Sequence, residues 1–416
     1  MTNLPVFACR HQVNSLASKK QPFSGRAEEI LGAGAFAEAK REITAWPGYA
    51  PTPLVPLGGL AGALGLAAVH YKDEGQRFGL KSFKALGGAY AVLKVLRREL
   101  AERNIFIEKV AELLAEELRS EIGGITVCCA TDGNHGRSVA WAAQMFGCGC
   151  VIYLHEGVSA GREREIAAYG ARIRRVPGSY DDSVRITVDE AAAEGWFVVS
   201  DTSWPGYEEV PALVMQGYMV MADEIAGQWP AANGTRQDVP SHLFIQGGVG
   251  GLAAGVTGHF WRLWGAQRPR TLVIEPERAD CIARSMRAGQ PTPVPGDVET
   301  FMACLAAAEM SPLAWEILRH CADEALIIPD QAAAETMRIL ASGVDGDRAI
   351  VAGESGCAAA AALIAACGDG ALRETLELGP EARVLVIGSE GATDTEIYRQ
   401  TVGRTPEEVA GAPRTD

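Results

Sequence analysis

Residues 244–255 read Phe244-Ile-Gln-Gly247-Gly248-Val249-Gly250-Gly251-Leu-Ala-Ala-Gly255. An apolar run breaks into a glycine cluster and passes at once into a helix-compatible segment. Strand, tight turn and helix in that order are the repeating unit of α/β proteins. Glycines have no side chain to hold an anion away, so backbone N–H groups can approach a phosphate. The helix N-terminus that follows adds positive potential. The stretch fits two kinds of cofactor. It suits a single phosphate ester, and Gly248-Val-Gly250-Gly-Leu-Ala253 also satisfies the dinucleotide pattern G-x-G-x-x-A. Glu275, closing the next apolar run, stands where a ribose-binding acid would stand.

Outward from this stretch, the chain beyond about residue 124 alternates short apolar runs with amphipathic or alanine-rich segments. Besides 242–246, strands are expected over 125–130, 150–154, 171–176, 196–200, 271–275, 326–329 and 384–388. Helices are expected over 135–146, 211–228, 252–264, 332–341 and 357–367. Continuous apolar strands between helices are buried on both faces, which indicates a mainly parallel sheet. Upstream, 84–102 reads as a helix with Leu86, Tyr90, Leu93, Leu96 and Leu100 on one stripe. No linker or repeat marks a boundary. The expected organisation is two interleaved lobes: a large cofactor-binding lobe from 1–100 and 200–416, and a small mobile lobe from 101–199, with a site in the crevice. The tail after Thr401, rich in Pro, Gly and charge, is expected to be loose.

Composition narrows the function classes. The chain has 416 residues, 48% hydrophobic and 22% charged, enough for a sizeable core. A net charge of −14 argues against nucleic-acid partners, which need a basic face. Ten cysteines are too dilute for a disulfide scaffold. Cys128–Cys129 and Cys148–Cys150 lack metal-knuckle spacing and have no histidine cluster beside them, so no metal is expected. Whether Cys281 and Cys304 pair is not decided by sequence. The N-terminal MTNLPVFACRHQ has no basic stretch leading into an apolar core, and the apolar run Val55–Val69 is broken by glycines and Pro56. The expectation is a cytoplasmic enzyme with no membrane partner.

Two further segments carry chemistry. In Lys72-Asp-Glu-Gly-Gln-Arg-Phe-Gly-Leu-Lys-Ser-Phe83-Lys84-Ala-Leu-Gly-Gly, Lys84 falls where a loop hands over to a helix. Partial desolvation there disfavours the ammonium and frees the amine for a Schiff base, whereas the ordinary reading is a solvated helix-start lysine. In Cys128-Cys-Ala-Thr-Asp132-Gly-Asn134-His135-Gly136, a strand runs into a polar turn and then a helix. Asn134 can donate to a ring oxygen and Asp132 can act as a base or bind an ammonium; either residue can also simply cap the helix. A dinucleotide leaves Lys84 and the asparagine turn without a task. Pyridoxal 5′-phosphate (PLP) uses all three segments, as amine for its aldehyde, donor for its ring oxygen and cradle for its phosphate. An NAD-dependent oxidoreductase stays as the remote alternative.

In this order the segments resemble the tryptophan-synthase-like family of PLP enzymes (fold type II), from about Pro51 to about Gly391. The resemblance is carried by KDEGQRFGLKSFKALGGAY (72–90), ATDGNHGRSVAW (130–141), SDTSWPGYEEVPALVMQGY (200–218), QGGVGGLAAG (246–255), GESG (353–356) and IGSEGATD (387–394). It implies an α/β fold of two interleaved lobes with mainly parallel sheets, and commonly a homodimer. It implies that Lys84, next to Phe83, binds PLP covalently and that Asn134 bonds the ring hydroxyl. Gly247, Gly248, Val249, Gly250 and Gly251 would hold the phosphate. Ser389 would face the pyridine nitrogen, with Thr393 close by as the other candidate, and Ser355 would be a wall of the pocket. Many relatives place Ser or Thr where this chain has Asp132. A carboxylate there repels a substrate carboxylate and attracts a second ammonium, and Asp201 is the family's other acidic position. The implied reaction is loss of ammonia from 2,3-diaminopropionate, of D or L configuration, giving pyruvate and two ammonia. Serine or threonine dehydration, or action on a bulkier diamino acid, is the alternative. Residues 302–310, Met-Ala-Cys-Leu-Ala-Ala-Ala-Glu-Met, depart from the Gly-Glu-Pro ending expected of close relatives.

Overall fold

The computed structural model describes residues 4–178, 180–230 and 239–411. Among them are eleven strands. In chain order they are β1 (Arg10–Val13), β2 (Leu54–Pro56), β3 (Ala68–Asp73), β4 (Thr126–Ala130), β5 (Gly149–His155) and β6 (Arg172–Val176). There follow β7 (Phe197–Val198), β8 (His242–Gln246), β9 (Arg270–Pro276), β10 (Glu324–Ile328) and β11 (Arg383–Gly388).

The chain forms two compact units. One joins 1–32, 51–82 and 221–416; the other joins 33–50 and 83–220. The expected lobe bounds at 100 and 200 do not coincide with these, because the helix Lys84–Glu102 groups with the smaller unit. Glycines bring it there: a Cβ on Gly88 would lie 2.0 Å from Ser138 Oγ, and one on Gly217 would lie 2.2 Å from the Leu86 carbonyl oxygen.

The first unit holds a seven-stranded sheet in the order β1-β10-β9-β8-β11-β3-β2. Its five central strands are parallel and its two edge strands, β1 and β2, antiparallel. One face is covered by the helix Ala358–Gly368, whose residues Ala358 to Cys367 are all buried. An apolar helix with no polar face has to lie inside, and its run of alanines lets it sit close to the strands. The second unit holds a wholly parallel sheet, β6-β5-β4-β7, with Tyr153, Val151 and Cys128 in its core. In each sheet the chain winds first to one side and then to the other. The switch lies between β8 and β11 in the first sheet and between β4 and β7 in the second. Ligands bind beyond the carboxyl ends of strands at such points.

Of the strands not expected from the sequence, β3 is the instructive one. It carries Lys72 and Asp73, and Lys72 is fully buried. Lys72 Nζ donates to Glu224 Oε2 at 2.7 Å and to the Thr52 carbonyl at 2.8 Å. Arg77, also buried, reaches both oxygens of Glu224 at 2.8 Å and both of Glu74 at 2.7 and 2.9 Å. These groups anchor the segment Glu74–Gly79, whose last two residues, Phe78 and Gly79, are left-handed, as is Lys81 beyond it (φ 49°, 72° and 57°), on the way to Lys84.

The tail after Thr401 is structured as far as it is described. A helix spans Pro406–Ala410, boxed by Thr405 and Glu408, and Val409 is buried. Residues 412–416 lie outside the described residues.

Candidate active site

In the second unit, Lys84 is the first residue of its helix, with Phe83 at the preceding cap position. The Phe83 ring packs edge-on against Tyr218 at 4.8 Å and lies 5.3 Å from Lys84 Nζ. The Lys84 side chain is 16% exposed, and its ammonium is paired with Asp201 Oδ2. Asp201 lies just beyond β7 on a turn fixed by Tyr207, whose hydroxyl accepts the Ser200 N–H at 3.0 Å and donates to the Val198 carbonyl at 2.8 Å. Burial opposes charge on Asp201, but the Lys84 ammonium and His135 outweigh it and hold the carboxyl well below the usual carboxylate range. His135 Nε2 donates to the Val199 carbonyl at 2.7 Å, and Nδ1 lies 3.9 Å from Asp201 Oδ2. Burial lowers the His135 pKa against the pull of Asp201.

Beyond β4, Thr131 Oγ1 accepts the N–H groups of Gly133 and Gly136, each at 3.0 Å, which shapes the turn into the helix Asn134–Phe146. Asn134 is its buried first residue, and its Oδ1 accepts from Arg137 at 3.2 Å. Asp132 is turned to His155 at the end of β5, 2.8 Å away. So Lys84, Phe83 and Asp201 are gathered in one cluster, and Asp132 has a partner of its own. Sequence reasoning left His135 and His155 without roles. His135 sits inside a quoted motif; His155 becomes visible only once β4 and β5 are paired in register.

In the first unit, the loop Gly247–Gly251 leaves β8 and enters the helix Gly251–Trp264. Gly248 and Gly250 have φ of 60° and 91°, where glycine is the ready choice. A Cβ on Gly250 would lie 3.1 Å from that of Ala314, and one on Gly248 would lie 3.4 Å from the Cys304 carbonyl oxygen. The departing segment 302–310 therefore packs over this loop. Ser389 directly follows β11 and is buried. Thr393 Oγ1 donates to Glu390 Oε2 at 3.2 Å, and the other oxygen of Glu390 accepts the Ser355 N–H at 3.2 Å. Ser355 Oγ accepts the Cys304 N–H at 3.1 Å.

The dinucleotide reading fails at Glu275. Its carboxyl is fully buried and accepts the N–H groups of Ile282 and Ala283, both at 2.8 Å, at the start of the helix Cys281–Ala288. Burial pushes its pKa up to about 8, against those two hydrogen bonds. Both oxygens of the acid are engaged by the protein's own backbone. All ten cysteines, Cys281 and Cys304 included, are free thiols. Among the described residues no group of three or more His, Cys, Asp or Glu is arranged to hold a metal ion, and no helix is long and apolar enough to cross a membrane.

The residues fit PLP. A partly buried amine begins one helix, and a glycine turn with left-handed residues opens another. A buried serine hydroxyl stands at the end of a central strand. The chain belongs to the pyridoxal-phosphate dependent enzymes, whose family pattern matches residues 45–390, and its fold is fold type II. Diaminopropionate ammonia-lyase of Escherichia coli (strain K12) is 41% identical over 359 residues, covering 85% of this chain and 88% of that protein. The solved structure of the Escherichia coli enzyme with an aminoacrylate-PLP azomethine reaction intermediate has a TM-score of 0.84 at 36% identity, over 96% of this chain and 98% of that one. The same enzyme in complex with D-serine has a TM-score of 0.84 at 37% identity, over 95% and 97%.

Proposed function

We propose that this protein is a PLP-dependent lyase that eliminates ammonia from 2,3-diaminopropionate, of either configuration, to give pyruvate and two ammonia. The observation that carries the reading is a pair of carboxylates, Asp132 and Asp201, beyond the ends of the two strands flanking the switch point of the four-stranded sheet. One of them, Asp201, is held ionised by its surroundings. Two carboxylates suit a substrate with a second ammonium, which serine and threonine lack. The similarity to an enzyme named for this reaction supports the same substrate.

Lys84 would hold PLP covalently, beside Phe83. Asn134 would bond the ring hydroxyl, Gly247, Gly248, Val249, Gly250 and Gly251 the phosphate, and Ser389 the pyridine nitrogen. The engagement of Thr393 with Glu390 favours Ser389 over Thr393 for that place. When bound, PLP draws electron density from the substrate Cα and makes its proton removable. Lys84 takes that proton on one face, and Asp132 takes it on the other for the opposite enantiomer. The Cα–H electron pair closes a Cα=Cβ bond, and the Cβ–N pair leaves on nitrogen, so the β-ammonium departs as ammonia. Asp201 orients that ammonium. The released 2-aminoacrylate takes up water and yields pyruvate and the second ammonia. The reading includes a cytoplasmic homodimer; light scattering of the purified holoenzyme tests the oligomer.

A substrate panel tests the whole. The expected result is two ammonia per pyruvate from diaminopropionate, with slower turnover of serine and threonine. Faster turnover of serine, at one ammonia per pyruvate, would overturn the assignment. Asp132→Asn is expected to cost about 10²–10⁴-fold in kcat with D-diaminopropionate, the usual price of losing a placed base, and much less with the L-isomer. Equal losses would remove Asp132 as the opposite-face base. Asp201→Asn is expected to raise KM for diaminopropionate by about 10–100-fold, the value of a hydrogen bond to a charged group. An unchanged KM would exclude its contact with the β-ammonium.

A further inference from the structure

β5 ends on His155, whose ring is held at both nitrogens. Nδ1 accepts the backbone N–H of Gly157 at 3.2 Å. That nitrogen therefore presents its lone pair, and the ring proton of the neutral imidazole sits on Nε2. Nε2 faces Asp132 Oδ1 at 2.8 Å and donates to it. The turn depends on glycine, since a Cβ on Gly157 would lie 3.0 Å from His155 Cε1. The backbone of Asp132 is held separately. Its carbonyl accepts from Arg162 Nη1 at 3.3 Å, and the Arg162 side chain lies over Gly133, where a Cβ would meet its Cδ at 3.1 Å. Main chain and side chain of Asp132 are thus fixed by different residues, with Oδ2 left for proton transfer.

We propose that His155 is a positioning residue for Asp132. As a donor locked in one tautomer by Gly157, it sets the Asp132 rotamer and keeps the carboxylate aimed. The proposal rests on the reading of Asp132 as the base for the D-isomer. Its consequence is selective: loss of the His155 hydrogen bond weakens proton removal from the enantiomer Asp132 serves and leaves the Lys84 face alone. A histidine that merely packs the turn would affect both enantiomers alike.

The test compares holoenzymes of wild type, His155→Ala, His155→Phe, His155→Gln and Asp132→Asn on D- and L-diaminopropionate. His155→Ala is expected to lower kcat for the D-isomer by about 10-fold, the share of one hydrogen bond to a charged group, with the L-isomer within about twofold. His155→Phe keeps ring volume without a donor and gives the same selective loss, which covers the case in which the alanine variant fails to fold. His155→Gln, with an amide N–H, recovers most of the rate. Nitrogen-15 NMR of the ring supplies a readout apart from turnover: a neutral Nε2–H form in wild type, with its Nε2–H signal shifted in Asp132→Asn. If Asp132→Asn is D-selective but the His155 variants lower both isomers equally, or neither, the positioning role is refuted while the base reading stands. A ring protonated on Nδ1 alone also refutes it. If Asp132→Asn is not D-selective, the base reading itself fails and takes the positioning role with it.

Discussion

Lys84→Ala yields a protein that lacks the visible absorption band of lysine-bound PLP and turns over diaminopropionate at least about 10³-fold more slowly, since it loses both the covalent anchor and a placed base. The structure leaves no obvious substitute. Lys72 is fully buried, with Glu224 and the Thr52 carbonyl as its partners, and Lys81 precedes the helix by a full loop turn. Among the described residues, Lys84 alone begins a helix with its amine beside a carboxylate and an aromatic ring. Borohydride reduction of wild type followed by peptide mass spectrometry is expected to place the phosphopyridoxyl adduct on Lys84. An adduct on another lysine, or a retained band in Lys84→Ala that borohydride still fixes to protein, would reverse the assignment.

Glu224→Ala is expected to give the largest loss of stability of any single change considered, about 3–5 kcal/mol, because it strands buried cations. Glu224 is the shared acceptor of Lys72 and Arg77, and the side chains of all three are at most 3% exposed. Burial already lowers the Lys72 pKa, so without Glu224 that lysine tends to lose its proton and Arg77 is left to Glu74. The exposed pair Arg98–Glu209 serves as control, where Arg98→Ala should cost no more than about 1 kcal/mol. Urea titration of both holoenzyme variants checks the contrast; equal midpoints would mean that the buried network contributes nothing. Because the network anchors the segment leading to Lys84, catalytic output should fall together with stability in Glu224→Ala.

Much of the architecture was legible because parallel strands buried on both faces leave unbroken apolar runs. β4, β5, β8 and β9 fall within two residues of their expected bounds for that reason. β3 escaped because Lys72 and Asp73 look solvated in sequence, and only a distant glutamate at 224 makes the burial of Lys72 affordable. The glycine loop was recognisable as an anion cradle but not as one kind of cradle. The choice came from reading the loop together with Lys84 and the asparagine turn, and the engagement of the Glu275 carboxyl with its own backbone is a tertiary fact that agrees with it. The grouping of the 84–102 helix depended on Gly88 and Gly217, whose value lies in what they allow to come near. Lys84 and Asn134 stood out as candidates from their places at loop-to-helix turns, whereas Asp201 came only with the family resemblance. The pairing of Asp132 with His155 follows from the register that sets Ala130 against Tyr153, since two steps further along parallel strands bring 132 beside 155.

The place of β11 in the seven-stranded sheet has a consequence for how the protein is made. That strand, residues 383–388, lies between β8 and β3, so the middle of the sheet is the last of its strands to be synthesised. Until it emerges from the ribosome, β3 and β8 each present an open edge and the neighbouring alanine-rich helix has no finished surface to cover. Nascent chains stalled short of it should therefore be sticky and protease-sensitive, dependent on chaperones until nearly the whole polypeptide has been translated.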